Sequence, residues 1–162
     1  MNKVFSELNG FVIYNPSELD IYLKNNNLKN NDILLYLTET IHGDILVQKG
    51  IMIPIINIPS DYYNFQLISQ VDGRNIVRLA KSKGWLLLST SGIINIVGIG
   101  FLKDISLINN NYKQIKVPQG FYNLTIISYY DNKEPGFLLD LELTNEKQKF
   151  RGSYEFDYEF DY

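Results

Sequence analysis

Short apolar segments separated by turn residues recur along the whole chain, and this spacing constrains the fold more than any other feature. The segments suited to strands lie at residues 10–14, 32–38, 44–48, 62–70, 84–90, 93–97, 104–108, 113–117, 121–130, 136–144 and 154–160. Glycine, proline, asparagine and aspartate fill most of the gaps between them. Many short strands at such spacing are typical of a β-sandwich or a barrel. The sequence therefore predicts a mostly β, antiparallel sandwich or barrel, formed as a single β domain over residues 1–162.

The composition agrees with a β fold. The chain has 162 residues, with 12 tyrosines, 9 phenylalanines and Ala80 as its only alanine. Aromatic and β-branched residues suit strands, whereas alanine is the strongest helix former. We expect at most one or two short helices, over 16–23, where Pro16 suits the first turn, and over 74–81. Trp85 opens a continuous apolar run and is predicted to lie in the core.

Two segments of the chain resemble each other. Residues 58–69 and 117–128 share a proline, a tyrosine–asparagine pair and an isoleucine–serine pair at matching positions. The pattern predicts two similar β units, about 32–75 and 92–144, that share one core. The tyrosines that should occupy equivalent positions, early in a strand after a proline turn, are Tyr63 and Tyr122. Chance similarity between two strands that both follow a turn is the alternative.

The residue types on which catalysis and metal binding depend are scarce. The chain has no cysteine and a single histidine, His42, so thiolate chemistry and the common zinc sites are not expected. The glycines between residues 92 and 100 lack the pattern of a phosphate-binding loop and should mark bends. Asp140 and Glu142 alternate with leucines and should share the solvent-facing side of a strand. We therefore predict that the chain is not an enzyme and has no catalytic residue, metal or cofactor.

The sequence also bears on location and on the class of partner. The N-terminal residues lack the apolar run of a signal peptide, and no stretch reaches the roughly 18 apolar residues of a membrane span. We expect a cytoplasmic protein that does not bind membranes. The net charge is −3, and no basic stripe of the kind that nucleic-acid binding normally requires is present. Nucleic acid is therefore not an expected partner.

The last nine residues alternate aromatic and acidic side chains without interruption. Neighbouring side chains of a strand face opposite ways, so the aromatic rings would line one face and the carboxylates the other. We predict a final edge strand whose aromatic face closes the core. Its acidic face would either keep the edge soluble or bind a basic partner. The predicted partner-binding residues are Glu155, Asp157, Glu159, Asp161, Tyr158 and Tyr162.

Several runs of residues resemble a known family. They are GWLLLSTSG at 84–92, GIGFL at 98–102, VPQGFY at 117–122 and GFLL at 136–139. This part of the chain resembles small bacterial immunity proteins of polymorphic toxin systems, including relatives of the competence-associated nuclease inhibitor. The resemblance implies a non-catalytic, cytoplasmic antitoxin that binds and neutralises a cognate protein toxin, with a nuclease among the candidate toxins. The acidic tail adds the expectation that the toxin has a basic surface.

Two other functions fit the sequence. A carbohydrate-binding or structural β module would carry exposed aromatic side chains on a sheet face or loop. The candidates for these side chains are Tyr62, Tyr63, Tyr129 and Tyr130. A hydrolase would instead place a pair of acids, such as Asp140 and Glu142, in a cleft.

Overall fold

The computed structural model of the protein describes residues 3–29, 31, 33–71, 75–108, 110–144 and 148–161. Its α-helices are α1 (Pro16–Asn25), α2 (Ile33–Glu39) and α3 (His42–Gln48). Its strands are β1 (Val4–Phe5), β2 (Phe11–Tyr14), β3 (Met52–Ile55), β4 (Tyr62–Leu67), β5 (Ile76–Ser89), β6 (Ile93–Gly98), β7 (Tyr112–Lys116), β8 (Gly120–Asp131) and β9 (Glu134–Thr144). Short 3-10 turns lie at Glu7–Asn9, Ile68–Gln70, Ile99–Lys103 and Ile105–Leu107.

The strands form two sheets that pack into a sandwich. The wide sheet has five strands in the order β1-β4-β9-β8-β5, and the narrow sheet has four in the order β3-β2-β6-β7. The strand pairs are antiparallel apart from β4 with β9, which run parallel. The mostly β, antiparallel-rich sandwich predicted from the sequence is therefore confirmed. The parallel pair became possible because β4 and β9 are far apart in the chain.

Aromatic and branched side chains fill the space between the two sheets. Phe11 of the narrow sheet meets Phe65 of the wide sheet edge-on, with ring centroids 4.9 Å apart, and Phe65 stacks on Phe137 at 5.2 Å. Trp85 is 1% exposed, and its ring nitrogen donates to Ser82 Oγ at 2.7 Å. The predicted core position of Trp85 is confirmed.

The helices cover the outer face of the narrow sheet. On β2, Phe11 and Ile13 face the space between the sheets, while Val12 and Tyr14 pack beneath the helices. Burial on both faces explains why this strand is apolar throughout. Helix α1 is the one predicted at 16–23, and it begins where the Asn15 side chain accepts a hydrogen bond from the Glu18 backbone N–H at 3.2 Å. In the described parts of the chain, no helix is long and apolar enough to cross a membrane.

Three predicted strands have other structures. The predictions at 32–38 and 44–48 are wrong, since the described residues there form α2 and α3, and residue 32 lies outside the described residues. The third, at 104–108, contains the 3-10 turn Ile105–Leu107 instead. A short apolar run suits a strand or a buried helix equally well. Here Ile33 and Leu37, one helical turn apart, both pack on the cluster beneath the narrow sheet.

The helix predicted over 74–81 is also wrong. Residues 76–81 belong to β5, which pairs with β8 along its length, and residue 74 lies outside the described residues. The pairing register of β5 shifts between Arg78 and Lys81 and again between Ser82 and Trp85. Each bulge adds a residue to one strand and interrupts the alternation of inward and outward side chains. This interruption produced the spacing that resembled a helix.

The repeated segments have matching local structure. Tyr63 in β4 donates its hydroxyl hydrogen to the Pro59 carbonyl oxygen at 3.0 Å, and Tyr122 in β8 does the same to Pro118 at 2.7 Å. Both rings are buried in the core between the sheets, so these tyrosines occupy equivalent positions as predicted. Their strands flank β9 on either side, and the strands before them form opposite edges of the narrow sheet. The duplication of whole units stays an interpretation, because α2 and α3 match only 3-10 turns in the described part of the second unit.

Candidate partner-binding surface

The C-terminal segment, residues 148–161, lies across the wide sheet. The strand predicted at 154–160 is wrong, because the segment has no strand within its described residues. The Arg151 N–H donates to the Gly84 carbonyl of β5 at 2.9 Å, and farther along Phe160 contacts Tyr63 of β4 at 5.2 Å between ring centroids. A chain that runs across strands cannot extend their hydrogen-bond ladder.

Side chains of β8 hold the backbone of the segment instead. Ser128 donates from its hydroxyl to the Tyr158 carbonyl at 2.7 Å, and the Tyr130 hydroxyl donates to the Asp161 carbonyl at 3.1 Å. These bonds satisfy backbone groups that a strand partner would otherwise satisfy. They also fix the segment at two places, three residues apart, beside the exposed carboxylates.

The aromatic side of the C-terminal segment closes the core, as predicted. Tyr158 is 4% exposed and meets Phe137 edge-on with ring centroids 5.3 Å apart. Phe156 and Phe160 are partly buried against the same cluster. Burial raises the pKa of Tyr158 to about 12, so its hydroxyl stays protonated at neutral pH.

Tyr154 ties the beginning of the alternating run to helix α3. Its hydroxyl donates to Asp44 Oδ1 at 3.1 Å, and its ring lies 6.2 Å from that of Trp85. Burial, followed by the bond to the Asp44 carboxylate, raises the pKa of Tyr154 to about 12. The contact joins the segment to the helical layer as well as to the wide sheet.

The four carboxylates of the run face solvent, as the alternation predicts. They belong to Glu155, Asp157, Glu159 and Asp161. Within the described residues none of them takes part in an ion pair, since the pairs there join Lys3 with Glu134 and Lys24 with Asp20. Four unpaired negative charges within seven residues create a local negative potential.

One of these carboxylates also shapes the backbone. Asp157 Oδ1 accepts a hydrogen bond from the Glu159 N–H at 2.8 Å, and Glu159 has a φ of 59°. This left-handed conformation is uncommon outside glycine and is stabilised by such a local bond. Sequence alternation did not reveal this role of Asp157.

The two tyrosines predicted to bind a partner are placed differently from the acids. Tyr158 lies on the core side of the segment, where its buried ring anchors the backbone that carries the carboxylates. Tyr162 lies outside the described residues. Of the predicted partner-binding residues that the structure describes, the four acidic ones are those with exposed side chains.

His42 and the paired acids of β9 form no comparable site. His42 is the first residue of α3, and its Nδ1 is 2.7 Å from the Tyr22 hydroxyl. Asp140 and Glu142 are both exposed on β9, as predicted. Among the described residues, no group of three histidine, cysteine, aspartate or glutamate side chains is arranged to hold a metal ion.

The glycines between residues 92 and 100 allow bends and close backbone contact. Gly92 has a φ of +80°, which favours glycine. A Cβ atom on Gly98 would lie 2.6 Å from the Phe5 carbonyl oxygen, so only glycine fits there without a shift. The φ of Gly92 agrees with the bend predicted there, whereas Gly98 is required by the close approach of the Phe5 backbone.

Comparison with protein-family models, with curated proteins and with solved structures finds no match for this chain.

Proposed function

We propose that this protein is a non-catalytic, immunity-type inhibitor that binds a protein toxin with a basic surface. The observation that carries the proposal is the set of four exposed carboxylates on a segment whose other side is anchored in the core. Charge of one sign speeds the encounter with a partner of the opposite sign and excludes wrong partners. A toxin that binds nucleic acid has such a basic surface in its substrate cleft.

Anchoring of the C-terminal segment favours binding because less freedom is lost when a partner docks. Ser128, Tyr130 and Tyr154 each contribute a hydrogen bond to or from the segment. Ordering a free loop on binding costs affinity, and a preorganised surface avoids part of that cost. The carboxylates are therefore presented at fixed spacing rather than on a free tail.

The distribution of charge along the segment orients the partner. Lys149 and Arg151 are exposed and precede the acidic side chains. A basic partner surface should accordingly dock over residues 155–161 and avoid residues 149–151.

The aromatic side chains expected of a carbohydrate-binding module are mostly inaccessible. Tyr63 and Tyr129 are both 0% exposed, and Tyr130 bonds to the C-terminal segment. Tyr62 is 56% exposed and packs against Phe5 with ring centroids 5.0 Å apart. These residues do not form a flat aromatic platform, which favours the acidic surface over the carbohydrate-binding alternative.

The test is binding of the toxin encoded beside the gene for this chain. In the four-amide variant, Glu155 and Glu159 become Gln, and Asp157 and Asp161 become Asn. The amide oxygen at position 157 can still accept the hydrogen bond from the backbone of residue 159. We expect association at low salt to slow at least about tenfold and its salt dependence to flatten, because steering is screened over about 8–10 Å at physiological ionic strength.

The control variant is Asp140→Asn with Glu142→Gln, which removes exposed charge from β9. It should associate with the toxin at nearly the wild-type rate. A folded four-amide variant with unchanged affinity and salt dependence would exclude the acidic surface as the interface. If the wild-type chain neither binds this toxin nor protects cells that express it, the immunity function itself is wrong.

A further inference from the structure

An apolar cavity of about 280 Å³ lies between the helical layer and the narrow sheet. Its buried wall is formed by Val12 of β2, Val47 of α3 and Met52 of β3. Leu37 of α2 and Ile56, which follows β3, contribute to its half-buried rim. Most of its lining side chains are apolar, which distinguishes it from the larger and more polar recess beside α1.

The polar side-chain groups of the cavity lie mainly at one point of its rim. Among the lining residues, polar side chains belong to Thr38, Asp44 and Tyr154. Tyr154 donates to Asp44 Oδ1 at 3.1 Å, a bond that does not use Oδ2. Asp44 is exposed, and the second oxygen of its carboxylate can accept a further hydrogen bond. An aliphatic recess with a few convergent polar groups is the usual form of a small-molecule site.

We infer that this cavity binds a compact apolar molecule that carries one N–H or O–H donor. An engineered apolar cavity of about 150 Å³ binds benzene. The present cavity is about twice as large, so a fused two-ring aromatic molecule matches its volume. The apolar rings would contact Val12, Val47 and Met52, and the donor would point to the Asp44 carboxylate. The site is independent of toxin binding, although Tyr154 is shared with the C-terminal segment.

The test uses indole as the probe, because it has two fused rings and one N–H donor. The chain has 2 methionines, so selective ¹³C-methyl labelling gives few signals, and Met52→Leu assigns the one from the cavity wall. Indole should shift the Met52 methyl resonance of the full chain in a saturable way. Indene has the same shape without the N–H, and it should bind about tenfold more weakly because it cannot make the charged hydrogen bond.

Two variants and one control variant distinguish a specific binding site from nonspecific hydrophobic binding. Asp44→Ala changes an exposed side chain and should weaken indole to the affinity of indene while leaving indene unchanged. Ile56→Trp should fill the cavity and abolish the shift caused by either probe, whereas Leu35→Trp, on the exposed side of α2, should not. The inference is overturned if indole causes no saturable shift of the Met52 signal. It is also overturned if indole and indene bind equally well and Asp44→Ala has no effect. This comparison does not depend on whether Ile56→Trp folds.

Discussion

Replacing Phe160 by alanine tests whether the C-terminal segment is part of the folded core. The Phe160 ring contacts those of Tyr63, Phe137 and Tyr130, with centroids 5.2, 5.4 and 5.6 Å away. Truncating a fully buried phenylalanine to alanine costs about 3–5 kcal/mol. Phe160 is only half-buried, so we expect a loss of about 2 kcal/mol in the free energy of unfolding.

Urea unfolding followed by circular dichroism measures this loss. With a slope of about 1–3 kcal/mol per molar urea, the midpoint should fall by about 1 M. Tyr62→Ala is the control. Tyr62 is the residue before Tyr63 in β4 and its ring is mostly exposed, so the substitution should cost less than about 1 kcal/mol. If Phe160→Ala were as stable as the control, the aromatic side of the segment would not be holding the carboxylates in place.

Three further predictions concern stability. Trp85→Ala should cost about 3–5 kcal/mol in urea unfolding, and a loss under about 1 kcal/mol would contradict the core position of this ring. The pKa of Tyr158 is raised from 10.0 to about 12, so its contribution is complete below pH 10 and is lost as the pH rises through 12. Tyr158→Phe should therefore lose less stability than the wild type between pH 9 and about pH 12, and parallel curves would refute this. Gly84→Ala should cost more than Gly92→Ala, because both have positive φ but only a Cβ at 84 meets the Arg151 backbone, at 2.6 Å. Equal unfolding midpoints for the two variants would show that the backbone at 151 moves away freely.

The alternation of acidic and aromatic residues in the C-terminal segment predicted which side chains are exposed, but it did not predict how the backbone of the segment is hydrogen-bonded. The acids of residues 154–161 are exposed and the aromatics are buried or half-buried, as expected, even though the left-handed backbone at Glu159 interrupts an extended conformation. The same alternation fits a strand within a sheet and a segment that crosses one. The choice between them depends on Ser128 and Tyr130, which are distant in sequence and supply the hydrogen bonds.

Helices α2 and α3 were missed for a related reason. The run at residues 33–37 is too short for periodicity to separate helix from strand. What decides its structure is the outer face of β2, where Val12 and Tyr14 need a covering layer. The cavity of the further inference could not be predicted either, because its walls come from segments as distant as Val12, Met52 and Tyr154.

The central position of β9 in the wide sheet has a consequence for folding during synthesis. Phe65 of β4 is opposite Phe137 of β9, and Ile126 of β8 is opposite Leu139, so β9 alone joins the two halves of this sheet. Until the ribosome has released β9, the one edge of β4 and the one edge of β8 that pair with β9 are open and can pair with other chains. Contacts between residues so distant in sequence also slow folding, toward the millisecond-to-second range of non-local β proteins. Completion of the wide sheet is therefore a late event, and chaperones that shield strand edges should raise the yield of folded chain.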